Sequence, residues 1–247
     1  MPGTHLGAMT DGSDLFQTDP CLSHLDDAGV AAAVVVDPIG TIAISRTWAR
    51  ELGHFSVEGS SVIGTTGGAL FMRGARVPQL VAEERVNLMR EVVATGKKAN
   101  LLGFGMGRLE VMTFKPMPAV SEAPGALLIR RPISSREDYQ HVLGEPCTRK
   151  AFANWARGLG TSSIRELQVL RLVGLGMSTT QIAKTLFRSE KTIESHIAAL
   201  NRKLNASSRL ALARSATFSG LIWLENDEIE EWWSRSMITN AEEAAGN

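Results

Sequence analysis

The sequence predicts an α+β N-terminal part, an antiparallel sheet with helices, followed by an all-α C-terminal part. Three observations carry this. Between Val30 and Arg131, short apolar and β-branched runs bounded by turn residues surround one long stretch with helical spacing. Between Ser163 and Gly220, capping residues precede apolar stripes at helical spacing four times in succession. The net charge of zero over 247 residues also conceals an asymmetry. Residues 161–220 hold nine basic and three acidic residues, whereas residues 221–247 hold seven acidic and one basic. A basic module inside an otherwise balanced chain is the electrostatic signature of a polyanion binder.

Residues 1–25 are rich in Gly, Thr, Ser and Asp and read as a disordered N-terminal arm. Val30–Val36 and Thr41–Ser45 form two strands around the turn Asp37-Pro38-Ile39-Gly40. Arg46–Leu52 reads as a short helix closed by Gly53. A longer helix runs from about Pro78 to Thr95, with Val81, Leu88 and Val92 at helical spacing and Gly96 ending it. Strands follow near Lys98–Phe104 and Arg108–Lys115, joined by Gly105-Met106-Gly107, and near Gly125–Arg131. An antiparallel sheet with helices on one side satisfies this order. Residues 134–160 read as a helical connector, interrupted at Gly144 and Pro146.

The signals are sharpest after Ser163. Ser163-Ile164-Arg165-Glu166 has capping-box spacing, and Gly176 stops the helix it opens. Ser178 caps a second helix, with Ile182, Ala183 and Leu186 facing inward, and Ser189 caps a third running to about Asn205. In that third helix Ile193, Ile197, Leu200 and Leu204 share one face. The opposite face presents Lys191, Glu194, Ser195, Ala198 and Arg202, and an exposed polar helix face is what reads base edges in a major groove. Ser178, Thr179, Lys191 and Thr192 sit at helix starts suited to phosphate, and Arg202 and Lys203 extend toward backbone phosphates at the far end. A fourth helix from about Ser207 to Gly220 carries Leu210, Ala211, Ala213 and Ala216, small enough in the main for close packing on a second copy.

This segment, residues 161–220, resembles the LuxR/GerE-type helix-turn-helix family. The resemblance rests on Arg165-Glu166-Leu167-Gln168-Val169-Leu170, Gly176-Met177-Ser178, Gln181-Ile182-Ala183, Leu186, Ser189-Glu190-Lys191-Thr192-Ile193-Glu194-Ser195-His196 and Arg202-Lys203-Leu204. It implies a tetrahelical domain whose third helix enters the major groove. On the matching positions it implies base reading by Glu194, Ser195 and Ala198, phosphate contact by Thr179, Lys191, Thr192 and Lys203, and a dimer contact on the fourth helix. Ser162 and Ile164 depart from the family, which usually has Leu and often has Pro there. Double-stranded DNA and a second copy of the chain are the expected partners, with RNA polymerase as a further candidate.

Residues 26–133 resemble a PAS-type sensor domain in their order of elements, from Val34-Val35-Val36-Asp37-Pro38-Ile39-Gly40 through Gly64 and the long helix to the three final strands. That resemblance implies a pocket between sheet and helices, for which Trp48, Phe55, Phe71, Leu88, Phe104 and Phe114 are candidate walls; ordinary core is the competing reading. No cofactor is predicted, and an unknown small-molecule effector is the expected signal. The domain has no cysteine between Cys21 and Cys147 for covalent flavin, and His54 alone as a haem ligand.

Other classes fit less well. A phosphorylatable receiver needs acidic residues after its first strand, but Asp26-Asp27 precedes it, and the acyl-homoserine-lactone receptors' pocket needs a tyrosine where this chain has only Tyr139. No nucleophile-elbow, zincin or paired-cysteine motif occurs, so no enzyme is expected. The two cysteines, the lack of a long apolar run and the lack of a signal-like N-terminus predict a cytoplasmic protein without membrane contact. The acidic extension, residues 221–247, predicts one more amphipathic helix. It either masks the basic module or caps the body with its tryptophans, the second being the favoured expectation.

Overall fold

The computed structural model describes residues 31–36, 40–44, 78–120, 123–235 and 237–239. Strands β1 (Ala31–Val36) and β2 (Gly40–Ile44) form the expected hairpin. Helix α1 (Gln79–Thr95) ends at Gly96, whose left-handed conformation lets its amide return to the Val92 carbonyl. Strands β3 (Ala99–Gly105), β4 (Arg108–Val120) and β5 (Ala123–Pro132) follow. Met106 and Gly107, both at positive φ, make the two-residue turn between β3 and β4, so this glycine-flanked segment is a hairpin.

The connector departs from the sequence expectation. Helix α2 (Arg136–Gly144) forms the first part of the expected helical connector and starts on Ser135, whose hydroxyl accepts from the Asp138 amide. Beyond Pro146, however, the chain is extended as β6 (Thr148–Lys150) and β7 (Ala153–Trp155) rather than helical. The reason is tertiary: β6 adds in parallel to the edge of β3, which supplies the backbone partners a helix would have supplied internally. The resulting sheet has the order β2-β1-β5-β4-β3-β6, antiparallel except for its last pair.

Alternation along the strands gives the sheet two covered faces. On one, Ala99, Leu101, Met112, Phe114 and Leu128 pack with Leu88, Met89 and Val92 of α1. On the other, Leu102, Phe104, Leu109 and Val111 join a continuous core with the C-terminal helices. Those are α3 (Ile164–Gly174), α4 (Thr179–Thr185), α5 (Glu190–Lys203), α6 (Arg209–Phe218) and α7 (Asn226–Arg235). After α7 a last strand, β8 (Met237–Thr239), pairs in parallel with β7.

Helix α7 is the amphipathic helix expected of the acidic extension, and its tryptophans cap the body. Trp232 is buried and Trp233 half-buried, and both meet Phe104 edge-on, at 6.1 and 5.2 Å between centroids. Two of its acids and the one just before it pair with cations of the body: Glu225 with Arg171 at 2.5 Å, Glu231 with Lys150 at 2.8 Å, and Glu228 with Arg136, whereas Asp227 and Glu230 are exposed. Among the described residues no helix is long and apolar enough to cross a membrane.

A buried charged cluster lies on the α1 side of the sheet. Glu110 of β4 sits 3.5 Å from the Arg130 guanidinium of β5, and its carboxyl occupies the space that a Cβ on Gly105 would fill. Arg85 of α1, equally buried, donates to the Val81 carbonyl at 2.9 Å. Burial pushes the Glu110 carboxyl from the ordinary 4.5 up to about 8, against the pull of Arg85 and Arg108. A carboxyl that binds its proton more tightly folded than unfolded contributes stability that is full below the unfolded value and lost as pH rises through the folded one. Stability therefore declines between about pH 4.5 and about pH 8 on account of this group. Urea titrations across that range should show the decline in the parent and a shallower one in Glu110→Gln.

Candidate nucleic-acid interface

The three helices α3, α4 and α5 are built from one repeated local scheme. Each opens on a serine whose hydroxyl accepts from the amide three residues on: Ser163 from Glu166, Ser178 from Gln181 and Ser189 from Thr192, all at 3.2 Å. The first two are full capping boxes, with the Glu166 and Gln181 side chains returning to the serine amides at 2.7 Å. Each closes on a left-handed residue, Gly176, Phe187 or Asn205. The amide after it reaches back to Leu172, Ala183 or Asn201, at 3.1, 2.9 and 2.9 Å. Start and stop are thus set locally, and packing then fixes the crossing of the helices. A Cβ on Gly174 would lie 2.6 Å from both Ala216 and Ile222, so a glycine there lets α6 approach α3 closely.

Helix α5 projects one face. Ile193 and Leu200 are fully buried, and Ile197 and Leu204 pack partly buried against the same core. Lys191, Glu194, Ser195, Ala198 and Arg202 are all exposed on the other side, as the apolar stripe predicts. Ser195 donates to the Lys191 carbonyl at 2.9 Å, which leaves its oxygen free to accept. At the helix start the Ser189 and Thr192 hydroxyls lie 2.8 Å apart, Lys191 is exposed beside them, and Ser178 and Thr179 begin the preceding helix nearby in sequence.

Lys203 is placed differently from Arg202. Its ammonium donates to the Glu166 carboxylate at 2.7 Å and to the Thr161 carbonyl at 2.9 Å, tying the end of α5 to the start of α3. Burial alone would raise the Glu166 carboxyl, but Lys203 and the Ser163 amide and hydroxyl outweigh it and hold it below the ordinary range. Two cations that sequence reasoning passed over flank the α4–α5 turn instead. Lys184 and Arg188 border an open groove of about 820 Å³ that also includes Thr192 and the 86% exposed ring of Phe187. Their signal was the basic charge of the turn itself.

The fourth-helix residues split. Leu210 is 71% exposed and continues into an outward stripe with Arg214 and Phe218. Ala213 is half-buried, and Ala216 is buried against α3, committed to the core of its own chain. The candidate pocket residues split as well. Leu88 and Phe114 share the core between α1 and the sheet, whereas Phe104 lies on the opposite face against α7: the hairpin register sets Phe114 opposite Ala99, five residues along β3 from Phe104, and residues an odd number apart on a strand point to opposite sides. Trp48, Phe55 and Phe71 lie outside the described residues.

A short scaffold helix, a tight turn and a longer helix showing a polar face define a helix-turn-helix module. The comparisons agree. Residues 162–216 match the family described as "Bacterial regulatory proteins, luxR family", and this segment is a LuxR-family (GerE) helix-turn-helix domain. Over 47 residues the chain is 53% identical to a nitrate/nitrite response regulator protein homolog of Haemophilus influenzae. That match covers 19% of this chain and 23% of that protein, so the chain spans about a quarter of the relative's length. Among solved structures, the Vibrio cholerae VqmA dimer, described as one of the LuxR-type receptors, is 17% identical over 86% of this chain and 92% of its own, with a TM-score of 0.38. Escherichia coli SdiA is 17% identical over 88% of this chain and 94% of its own, with a TM-score of 0.25.

The Lys203–Glu166 pair yields a stability prediction. Lys203→Ala strands a buried carboxylate and should cost about 1–2 kcal/mol at neutral pH. Because Glu166 is held low by this partner, the deficit should shrink as pH falls and the carboxylate protonates, as read by urea titration at pH 7 and pH 4.

Proposed function

We propose that the chain is a sequence-specific DNA-binding transcriptional regulator that reads the major groove with α5. The observation that carries this is the α5 face itself: Glu194, Ser195 and Ala198 exposed in a row, on a helix whose start is ringed by Ser189, Thr192 and Lys191 and whose other face is locked in the core. Glu194 accepts from a cytosine amino group, Ala198 meets a thymine methyl, and Ser195 serves either base type. Lys191, Thr192, Ser178, Thr179 and Arg202 hold backbone phosphates. Lys203 acts as a structural brace for this surface more than as a phosphate ligand, since Glu166 engages it.

The sheet and α1 form the sensing part in this reading, a PAS-like domain whose five-strand order β2-β1-β5-β4-β3 supports that assignment. A small-molecule effector between α1 and the sheet shifts the population of DNA-competent molecules. A dimer formed through the outward stripe of α6 places two α5 helices about one DNA turn apart, and RNA polymerase is the partner through which the bound dimer acts.

Selection from a randomised duplex library with the intact protein tests the reading. A defined sequence should emerge, Glu194→Ala should relax preference at one base pair, costing about 1–3 kcal/mol of discrimination, and Lys191→Ala with Thr192→Ala should weaken all duplexes alike. Absence of DNA binding at low salt would leave a module that serves assembly alone.

A further inference from the structure

Three consecutive residues at the start of β4 reach two different parts of the molecule. The Arg108 guanidinium lies 5.5 Å over the ring of Phe218, near the C-terminal end of α6. Leu109 donates its amide to the Ser219 carbonyl at 2.8 Å and packs so closely on Gly220 that a Cβ there would stand 3.0 Å from its own Cβ. Glu110 points to the other side of the sheet, into the cluster with Arg85 and Arg130. The strand is therefore tied to the end of α6 through Arg108 and Leu109, while Glu110 pairs with Arg130 of β5 and feels the charge of Arg85 on α1.

We propose that this segment is a regulatory lever: the Arg85–Glu110–Arg130 cluster on the α1 side of the sheet sets how firmly Leu109 holds the end of α6, and so controls presentation of the DNA-reading module. Its last step rests on the DNA-binding reading above; the lever itself does not. The physical case has three parts. Neighbouring strand residues point to opposite faces, so a shift of Glu110 drags Leu109 with it. Close-packed interiors transmit such shifts instead of absorbing them. A buried cluster of ionisable groups is seldom the most stable filling for its space, and its best-attested use is to fix one arrangement or to switch between two. The Glu110 carboxyl lies over Gly105, in the space a Cβ there would fill, so the cluster packs against the β3 backbone and a change in it is passed along β4. Among the described residues, the charged groups around Glu110 are Arg85 on α1, Arg108 on β4 and Arg130 on β5. Glu110, Arg85 and Arg130 are positioning residues in this scheme and touch no DNA.

Hydrogen exchange on the intact protein tests it. Arg85→Met keeps volume and removes the charge, and Val92→Ala loosens the same α1 face without touching the cluster. The lever predicts at least tenfold faster exchange of the Leu109 amide in Arg85→Met relative to core amides of α3, no such selective rise in Val92→Ala, and at least a fivefold change in affinity for the selected duplex in Arg85→Met alone. Equal acceleration in both variants, no acceleration, or a selective acceleration with unchanged DNA affinity would each overturn it. Should Arg85→Met not fold, the parent and Glu110→Gln are compared from pH 7 to pH 9. Extra loss of Leu109 protection in the parent alone, relative to core amides of α3 and after correction for intrinsic exchange, supports the lever; equal loss in both proteins, or a loss shared equally by the α3 amides, overturns it. Because the exchange readout needs no DNA, failure of the lever stays distinct from failure of the DNA-binding reading.

Discussion

The arrangement depends on one apolar contact, the packing of the sheet face bearing Leu102, Phe104, Leu109 and Val111 against the C-terminal helices. A sheet whose second face is apolar needs a cover. Here the cover is built from Tyr139 of α2, Leu221 and Leu224 after α6, and Ile229 and Trp232 of α7, all fully or nearly fully buried. Apolar area removed from water is the dominant favourable term in such a contact. The helix-turn-helix segment is consequently not an appendage on a linker, because its core and that of the sheet are the same core. The acidic extension belongs to this contact too. Glu225, Glu228 and Glu231 pair with Arg171, Arg136 and Lys150, so these three charges dock the extension on the body.

Within that frame the DNA-facing surface is what the core leaves over. Ile193 and Leu200 fix the rotation of α5, and that rotation alone decides that Glu194, Ser195 and Ala198 face outward. The Lys203–Glu166 pair fixes its far end and the Ser189 cap its near end. In the proposed reading, preorganisation of this kind would let a few short side chains discriminate bases without a further ordering cost.

Much of this was legible in the sequence because it is local. Ser163, Ser178 and Ser189 announce helix starts through their own side chains, Gly176 announces a stop, and the Ile193–Leu204 spacing selects the buried face of α5. The illegible parts are those decided by distant partners. Residues 148–155 have weak intrinsic preference, and the exposed edge of β3 makes part of them a strand. Phe104 and Phe114 look alike in sequence, yet the register of the β3–β4 hairpin puts them on opposite faces, and α7 gives Phe104 its aromatic neighbours. Lys203 reads as a free cation until Glu166, 37 residues away, is brought beside it. Ser162 replaces an apolar family residue and is buried with a hydroxyl that meets no hydrogen-bond partner among the described residues. Nothing in the structure explains that choice.

The most direct test of the account is hydrogen exchange of the intact protein with and without its selected duplex. Slowed exchange concentrated at the start of α5, from Lys191 to Ser195, with smaller slowing at the start of α4, is the predicted result. Protection confined to the sheet or to α7, with α5 exchanging as fast as in the free protein, would contradict the claim that this helix is the DNA-reading element.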